Sequence, residues 1–218
     1  PDGVEPEETP SFRHTDWFEH VGTECRAVRK RVGVIDLSAF SRYEASGLGA
    51  EAYLNHVSAN RMPRKVGGIA LTQMLNTRGN IKCEATVTRL ADDRYHLLHP
   101  ATAEIHDFDW LEKHLPEGGG VRLDNVTGRY GCLAIAGPRA REVLAKLTGD
   151  DLGNAAFPWL RARPITIGLI PVWALRVSYV GELGWELHHE MEYHAGLYDA
   201  LMEAGAEFGI ADFGTRAM

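Results

Sequence analysis

Two carboxylates in this sequence stand where an acid calls for explanation. Residues Val172–Val180 read as a strand with Trp173, Leu175, Val177 and Tyr179 on one face, and Trp185–His188 reads as the strand that returns. If Gly181-Glu182-Leu183-Gly184 is the whole loop, Val180 opposes Trp185 and Tyr179 opposes Glu186, with Cβ atoms about 5 Å apart. Glu186 then lies on an apolar face, where a carboxylate needs a partner or a task. A one-residue change of register would remove that inference. Glu84 follows the turn Asn76-Thr77-Arg78-Gly79-Asn80 in an alternating run, Ile81–Leu90. Ile81, Cys83, Ala85 and Val87 face one way, and Glu84 shares the other with Lys82, Thr86 and Thr88. By pattern alone Glu84 is a solvated acid.

Other chemistry-bearing residues read more plainly. Gly47-Leu48-Gly49-Ala50-Glu51-Ala52 matches the loose G-x-G-x-x-A dinucleotide pattern. The acid expected about 20 residues later to hold a ribose is missing, and Arg61, Arg64 and Lys65 stand there instead. The segment is expected to be a turn and a helix start. Of ten histidines, His96 and His99 face opposite sides of a strand, and His188, His189 and His194 straddle a strand end and a helix start. Neither set has metal-ligand spacing, so no metal site is expected. Cys25, Cys83 and Cys132 are odd in number and far apart, which argues against a disulfide framework and for a reducing compartment.

The elements that must position these residues follow from periodicity. Helical spacing is expected from Asp16 through Val32, over Ala50–Val57, from about Thr102 with Ile105, Phe108, Leu111 and Leu115 inward, after Gly137-Pro138, and from Glu192 to Ala204. Strands are expected at Val34–Leu37, Arg42–Ala45, Ile69–Leu75 as a buried strand, Ile81–Leu90, Tyr95–His99, Val121–Val126, Cys132–Ala136, Ile165–Leu169 and in the hairpin above. The fold class is α+β with mostly antiparallel sheet, and no internal repeat is visible. Residues 1–15 read as an extended lead-in and 16–218 as the folded region. With 218 residues, 44% hydrophobic and 24% charged, the chain is an ordinary globular one, able to bury a sizeable core. Its net charge of −7 disfavours general nucleic-acid binding. No apolar stretch approaches the roughly 18 residues of a membrane span. The first ten residues carry four acids and three prolines, unlike a signal peptide. The absence of an initial Met and the abrupt end at Met218 suggest a piece of a longer protein.

Several of these segments carry a family resemblance. Arg31-Val32-Gly33-Val34-Ile35-Asp36-Leu37-Ser38, Met74-Leu75-Asn76 through Gly79, Gly137-Pro138-Arg139-Ala140 and Ser178-Tyr179-Val180-Gly181-Glu182-Leu183-Gly184-Trp185-Glu186 resemble the folate-binding aminomethyltransferase family, that of the glycine cleavage T-protein. Pro10-Ser11-Phe12 with Asp16-Trp17-Phe18, and Asp212-Phe213-Gly214-Thr215, resemble the C-terminal folate half of dimethylglycine and sarcosine dehydrogenases.

The resemblance implies two interleaved α+β domains, here without the family's C-terminal β-barrel. It implies tetrahydrofolate as cofactor and an N-methyl amine or iminium donor, with 5,10-methylenetetrahydrofolate as product. A flavin oxidoreductase half would act in cis or in trans and carry FAD, which is not expected on this chain. The implied location is cytoplasmic, or the mitochondrial matrix in a eukaryote, with neither nucleic acid nor membrane as partner. By residue, Glu186 matches the glutamate that hydrogen-bonds the pteridine edge, Tyr179 a tyrosine lining that site, and Arg216 an arginine near the folate. Glu84 stands where the family usually has an aspartate that positions or deprotonates the folate amine, and is the catalytic candidate. Cys83 replaces the neighbouring Asp, Leu71 a folate-lining Tyr and His99 an Asn. A folate-dependent demethylase acting on a sulfur or oxygen methyl donor, and a non-catalytic folate-binding accessory module, are the alternatives.

Overall fold

A computed structural model describes residues 12–218. Most of the expected lead-in, and Pro10-Ser11 of the resemblance, lie outside the described residues. The chain forms a six-stranded and a five-stranded sheet with helices packed on them. The five-stranded sheet contains β2 (Ser41–Ser46), β3 (Ile69–Leu75), β4 (Ile81–Ala91), β5 (Arg94–His99) and β6 (Arg122–Asn125), in the spatial order β3-β4-β5-β2-β6. The six-stranded sheet contains β1 (Gly33–Asp36), β7 (Tyr130–Ala136), β8 (Ala162–Ile167), β9 (Ile170–Leu175), β10 (Gly184–Glu190) and β11 (Ala211–Asp212), in the order β11-β1-β7-β10-β9-β8. The strand pairs are antiparallel except β1–β11. Because β1 joins the sheet built mainly from the second half of the chain, the two sheets interleave in sequence.

The halves repeat one topology. In the first, β2 leads through α2 (Ala50–Val57) to β3, β4 and β5, and then through α3 (Glu104–Lys113) to β6. In the second, β7 leads through α4 (Ala140–Ala145) to β8, β9 and β10, and then through α5 (His194–Gly205) to β11. The orders β3-β4-β5-β2 and β8-β9-β10-β7 are the same arrangement. Both halves turn from strand to helix at a glycine with positive φ. Gly47 and Gly137 occupy that corner at φ +113° and +131°, and a Cβ on Gly137 would lie 2.5 Å from the Arg31 carbonyl oxygen.

Each sheet buries one face under its own helices. Tyr43, Ala45, Met74, Ala85, Val87, Tyr95 and Leu97 pack against Tyr53, Leu54 and Leu111 of α2 and α3. Ile135, Trp185, Leu187 and Val172 pack against Val143, Leu144, Leu197 and Leu201 of α4 and α5. Full burial of each large aliphatic side chain among them contributes roughly 1.5–3 kcal/mol. Helix α1 (Phe18–Lys30) adds Val28 to a smaller cluster with Ile35, Cys132 and Phe213 on the opposite face of the larger sheet.

Two sequence expectations fail in instructive ways. Strand β3 is an edge strand, with Leu71 at 54% and Leu75 at 41% exposure, because α2 and α3 cover only the Thr72–Met74 face of it. Ile105, expected inward on α3, is 79% exposed, because only the Phe108–Leu111 side meets the sheet. No helix among the described residues is long and apolar enough to cross a membrane.

Candidate functional site

Strand β10 alternates across the larger sheet. Trp185 and Leu187 enter the core under α4 and α5, so Glu186 and His188 project from the other face. That face looks toward the free face of the smaller sheet, and the two meet where the His188 and His96 rings approach to 5.5 Å between centroids. Glu186 lies between Ala134 of β7 and Leu175 of β9, its side chain only 15% exposed. His188 Nε2–H donates to Glu186 Oε2 at 3.1 Å, and Cys132 Sγ lies 3.7 Å from the same nitrogen. Burial opposes a charge on His188, but Cys132 and Glu186 outweigh it, and the imidazole is pushed up to about 9. Burial, reinforced by the charge on His188, holds His96 well below the ordinary histidine value.

The sequence reasoning about Glu186 is thus right in kind and wrong in partner. The expected Tyr179–Glu186 cross-strand pair does not form: β9 ends at Leu175, which itself pairs with Glu186. Tyr179 sits in the 176–183 loop, 84% exposed. The early end has a cause. The Arg176 backbone exchanges hydrogen bonds with Leu160 and Arg161, and its guanidinium binds the Phe157 carbonyl and Asn154 Oδ1. These contacts draw the chain away from β10. The loop is tied down further on by a 2.9 Å ion pair between Glu182 and Arg29.

The structure brings some of the candidates together. Tyr179 and Glu186 line one small cavity of about 20 Å³, with Val177, Phe213 and Met218. Arg216 is two residues before Met218, its guanidinium 4.3 Å from the Trp17 ring centroid. Glu84 belongs to the other sheet. It is exposed on β4 opposite Gln73, which donates to it at 2.7 Å, and exposed Leu71 occupies the next pair on that face, opposite Thr86. His99 turns the other way, into the core, where its Nδ1–H donates to Asp107 at 2.9 Å.

His188 and Cys132 are the residues that sequence reading missed. His188 two positions after Glu186 was a legible signal, since alternate strand residues share a face. Cys132 was not, because it depends on the β7–β10 register. Among the described residues, two trios of potential metal-ligand atoms each converge within 4.8 Å, Cys132–Glu186–His188 and Cys83–His99–Asp107. In each trio the histidine and the carboxylate already hydrogen-bond to one another. A larger cavity of about 510 Å³ opens on the far side of His188.

A family model, the GCVT N-terminal domain, matches residues 5–218. The chain is 45% identical over 217 residues to the mitochondrial dimethylglycine dehydrogenase of Mus musculus, covering 99% of this chain and 25% of that protein. It is 32% identical over 215 residues to sarcosine oxidase subunit alpha of Rhizobium meliloti (strain 1021), covering 96% and 22%. Among solved structures it resembles the glycine cleavage system aminomethyltransferase T from Bartonella henselae, with a TM-score of 0.78 and 25% identity over 90% of this chain and 52% of that one. The chain spans about a quarter of the length of the curated relatives it matches.

Proposed function

The chain belongs to the GCVT N-terminal domain family, and from that premise we propose that it holds tetrahydrofolate and serves the transfer of a one-carbon unit to it. The relatives support placing it as the folate half of a dimethylglycine- or sarcosine-type dehydrogenase. A flavin oxidoreductase half, in cis or in trans, would then supply the iminium from an N-methyl amine. The same reading places the protein in the cytoplasm, or in the mitochondrial matrix of a eukaryote.

The observation that carries this reading is Glu186, a carboxylate oriented by a charged histidine and facing the cavity wall it shares with Tyr179. Its donor set fits the ligand. His188 uses one lone pair, and the remaining ones can accept the adjacent N–H groups of a pterin edge, which is strong, two-pronged recognition. The room does not fit without movement, since a cavity of about 20 Å³ holds little more than one water. Entry therefore requires the exposed Tyr179 loop to swing outward, after which the ring can close over the ligand and exclude water. When bound, tetrahydrofolate supplies the nucleophilic amine that accepts the one-carbon unit. Glu84 would hold or polarise the proton on that amine, and Arg216 would offer positive charge to an anionic part of the ligand.

The test is titration with tetrahydrofolate under anaerobic conditions, with melting measured in parallel. Glu186→Ala is expected to weaken binding at least about tenfold, the equivalent of 1.4 kcal/mol. Tyr179→Phe is expected to do less, because the wall remains. A lower melting temperature with unchanged affinity would reduce Glu186 to a buttress of the strand and end this reading. A second reading, folate binding without transfer, is favoured by the exposure of Glu84 and by Gln73 as its hydrogen-bond partner.

A further inference from the structure

Of the two trios of convergent ligand atoms, Cys132–Glu186–His188 belongs to the site already described, whereas the folate reading has no use for Cys83–His99–Asp107. All three residues of the latter are more than nine-tenths buried. Cys83 comes from the core-facing side of β4, His99 from the end of β5 and Asp107 from α3. Spacing along the chain does not reveal the trio, because separate elements supply it. Cys83 is a free thiol in the apolar cluster that includes Ala85, Leu97 and Leu111. The Tyr43 ring lies against His99, with 4.9 Å between centroids.

A carboxylate in such surroundings is costly unless its charge is matched. Asp107 meets a histidine at each oxygen, His99 Nδ1 at 2.9 Å from Oδ2 and His106 Nδ1 at 2.8 Å from Oδ1. Two neutral imidazoles satisfy its hydrogen bonds but not its charge. A divalent cation does match it: the Asp107 carboxylate and a Cys83 thiolate together carry two negative charges, and neutral imidazoles add none. The donor types select the ion, since thiolate, imidazole and carboxylate are the ligands of zinc. Zinc–ligand distances of about 2.0–2.3 Å put tetrahedral ligand atoms roughly 3.3–3.8 Å apart, so donors already within 4.8 Å of one another need shift by only about 1 Å.

We infer that Cys83, His99 and Asp107 form a zinc site, with His106 as the fourth ligand. On binding, the Cys83 thiol proton leaves to solvent. His99 and His106 bind through Nδ1, and each keeps its single ring proton on Nε2. The His106 side chain is 53% exposed, and the turning of its ring bares the Asp107 oxygen it covers and admits the ion. The inference does not rest on folate binding.

The experiment strips the chain with a chelator and titrates it with Zn²⁺ alone, following heat, proton release and melting. A parallel titration with Co²⁺ is followed by absorption. One ion per chain, about one proton released per ion, a raised melting temperature and a near-ultraviolet thiolate-to-cobalt band are expected. Cys83→Ser and Asp107→Asn are each expected to weaken Zn²⁺ binding by more than the roughly 10–100-fold that loss of an outer-shell partner costs, and Cys83→Ser to remove the cobalt band. Cys132→Ser is expected to leave that band in place. Should Cys83→Ser fail to fold, zinc-edge X-ray absorption on the unaltered chain and on Cys132→Ser is expected to show one sulfur beside nitrogen and oxygen ligands in both. Failure to take up Zn²⁺, an ion without a sulfur ligand, or a sulfur ligand or cobalt band lost in Cys132→Ser would each overturn the assignment.

Discussion

At the residue scale the central feature is a buried pair, Glu186 and His188, whose energetics depend on pH. The folded-state value of His188 is raised from 6.5 to about 9, so its stabilising contribution is fully present below about pH 6.5 and is lost as the pH climbs through 9. At about 1.4 kcal/mol per unit this is at most roughly 3 kcal/mol. His189 behaves oppositely. Burial lowers it to about 4, so its contribution is present above about pH 6.5 and lost as the pH falls toward 4. Urea denaturation as a function of pH is therefore expected to give a stability maximum near pH 6.5–7. His188→Phe is expected to flatten the alkaline limb and leave the acid limb in place; an unchanged alkaline limb would mean that His188 is neutral in the folded protein. Glu84 permits a separate prediction, within the folate reading. Glu84→Gln is expected to lower one-carbon transfer by about 10²–10⁴-fold, the usual worth of general acid–base help, without altering amine oxidation in a flavin-linked assay. Unchanged transfer per amine oxidised would leave Glu84 as the solvated acid its strand pattern suggests.

At the element scale the two corners between strand and helix depend on glycine. Both β2→α2 and β7→α4 turn on a glycine at positive φ, and a Cβ there would run into backbone: the Gly120 carbonyl for Gly47, the Arg31 and Val28 carbonyls for Gly137. Gly47→Ala and Gly137→Ala are each expected to cost about 1–3 kcal/mol from the conformation alone, and more from the contact. Denaturant midpoints measure this. A loss below about 0.5 kcal/mol in either would show that the corner can rearrange. The loop between β9 and β10 is the contrasting element. Its start is committed by the hydrogen bonds of Arg176 to the 157–161 segment, not by pairing with β10. That difference puts Tyr179 on an exposed loop instead of a strand.

At the scale of the whole molecule, the two topologically equivalent halves are joined at the turn between β1 and β2, and one arginine braces that turn. Arg42, on the smaller sheet, is fully buried. Its guanidinium donates to the carbonyls of Leu37, Ser38 and Phe40, in the turn that follows β1 of the larger sheet. Hydrogen bonds from a charged group contribute roughly 1.5–3 kcal/mol each, and removal strands the acceptors. Arg42→Met is expected to destabilise by at least about 3 kcal/mol and to loosen the two sheets from one another. Hydrogen exchange would show β1 and β7 losing protection before the β3–β4 core does. Uniform loss would mean that the halves unfold as one unit regardless of this link.

The order of elements, the inward face of Cys83, Ala85 and Val87, the helix at Ala50–Val57 and the need of Glu186 for a partner were legible in the sequence alone. Those properties follow from periods of two and 3.6 residues and from the cost of burying a charge, which act over a few residues of chain. The partner of Glu186, the exposure of Leu71 and Ile105, the turning of His99 into the core and the repeated topology were decided only by tertiary structure. Each depends on which strand lies beside which. The pairing of His188 with Cys132, 56 residues apart, is set by the β7–β10 register, and the end of β9 by competition from Leu160 and Arg161. Local periodicity carries no information on such distant contacts, because the backbone groups that decide them are chemically identical at every position along the chain.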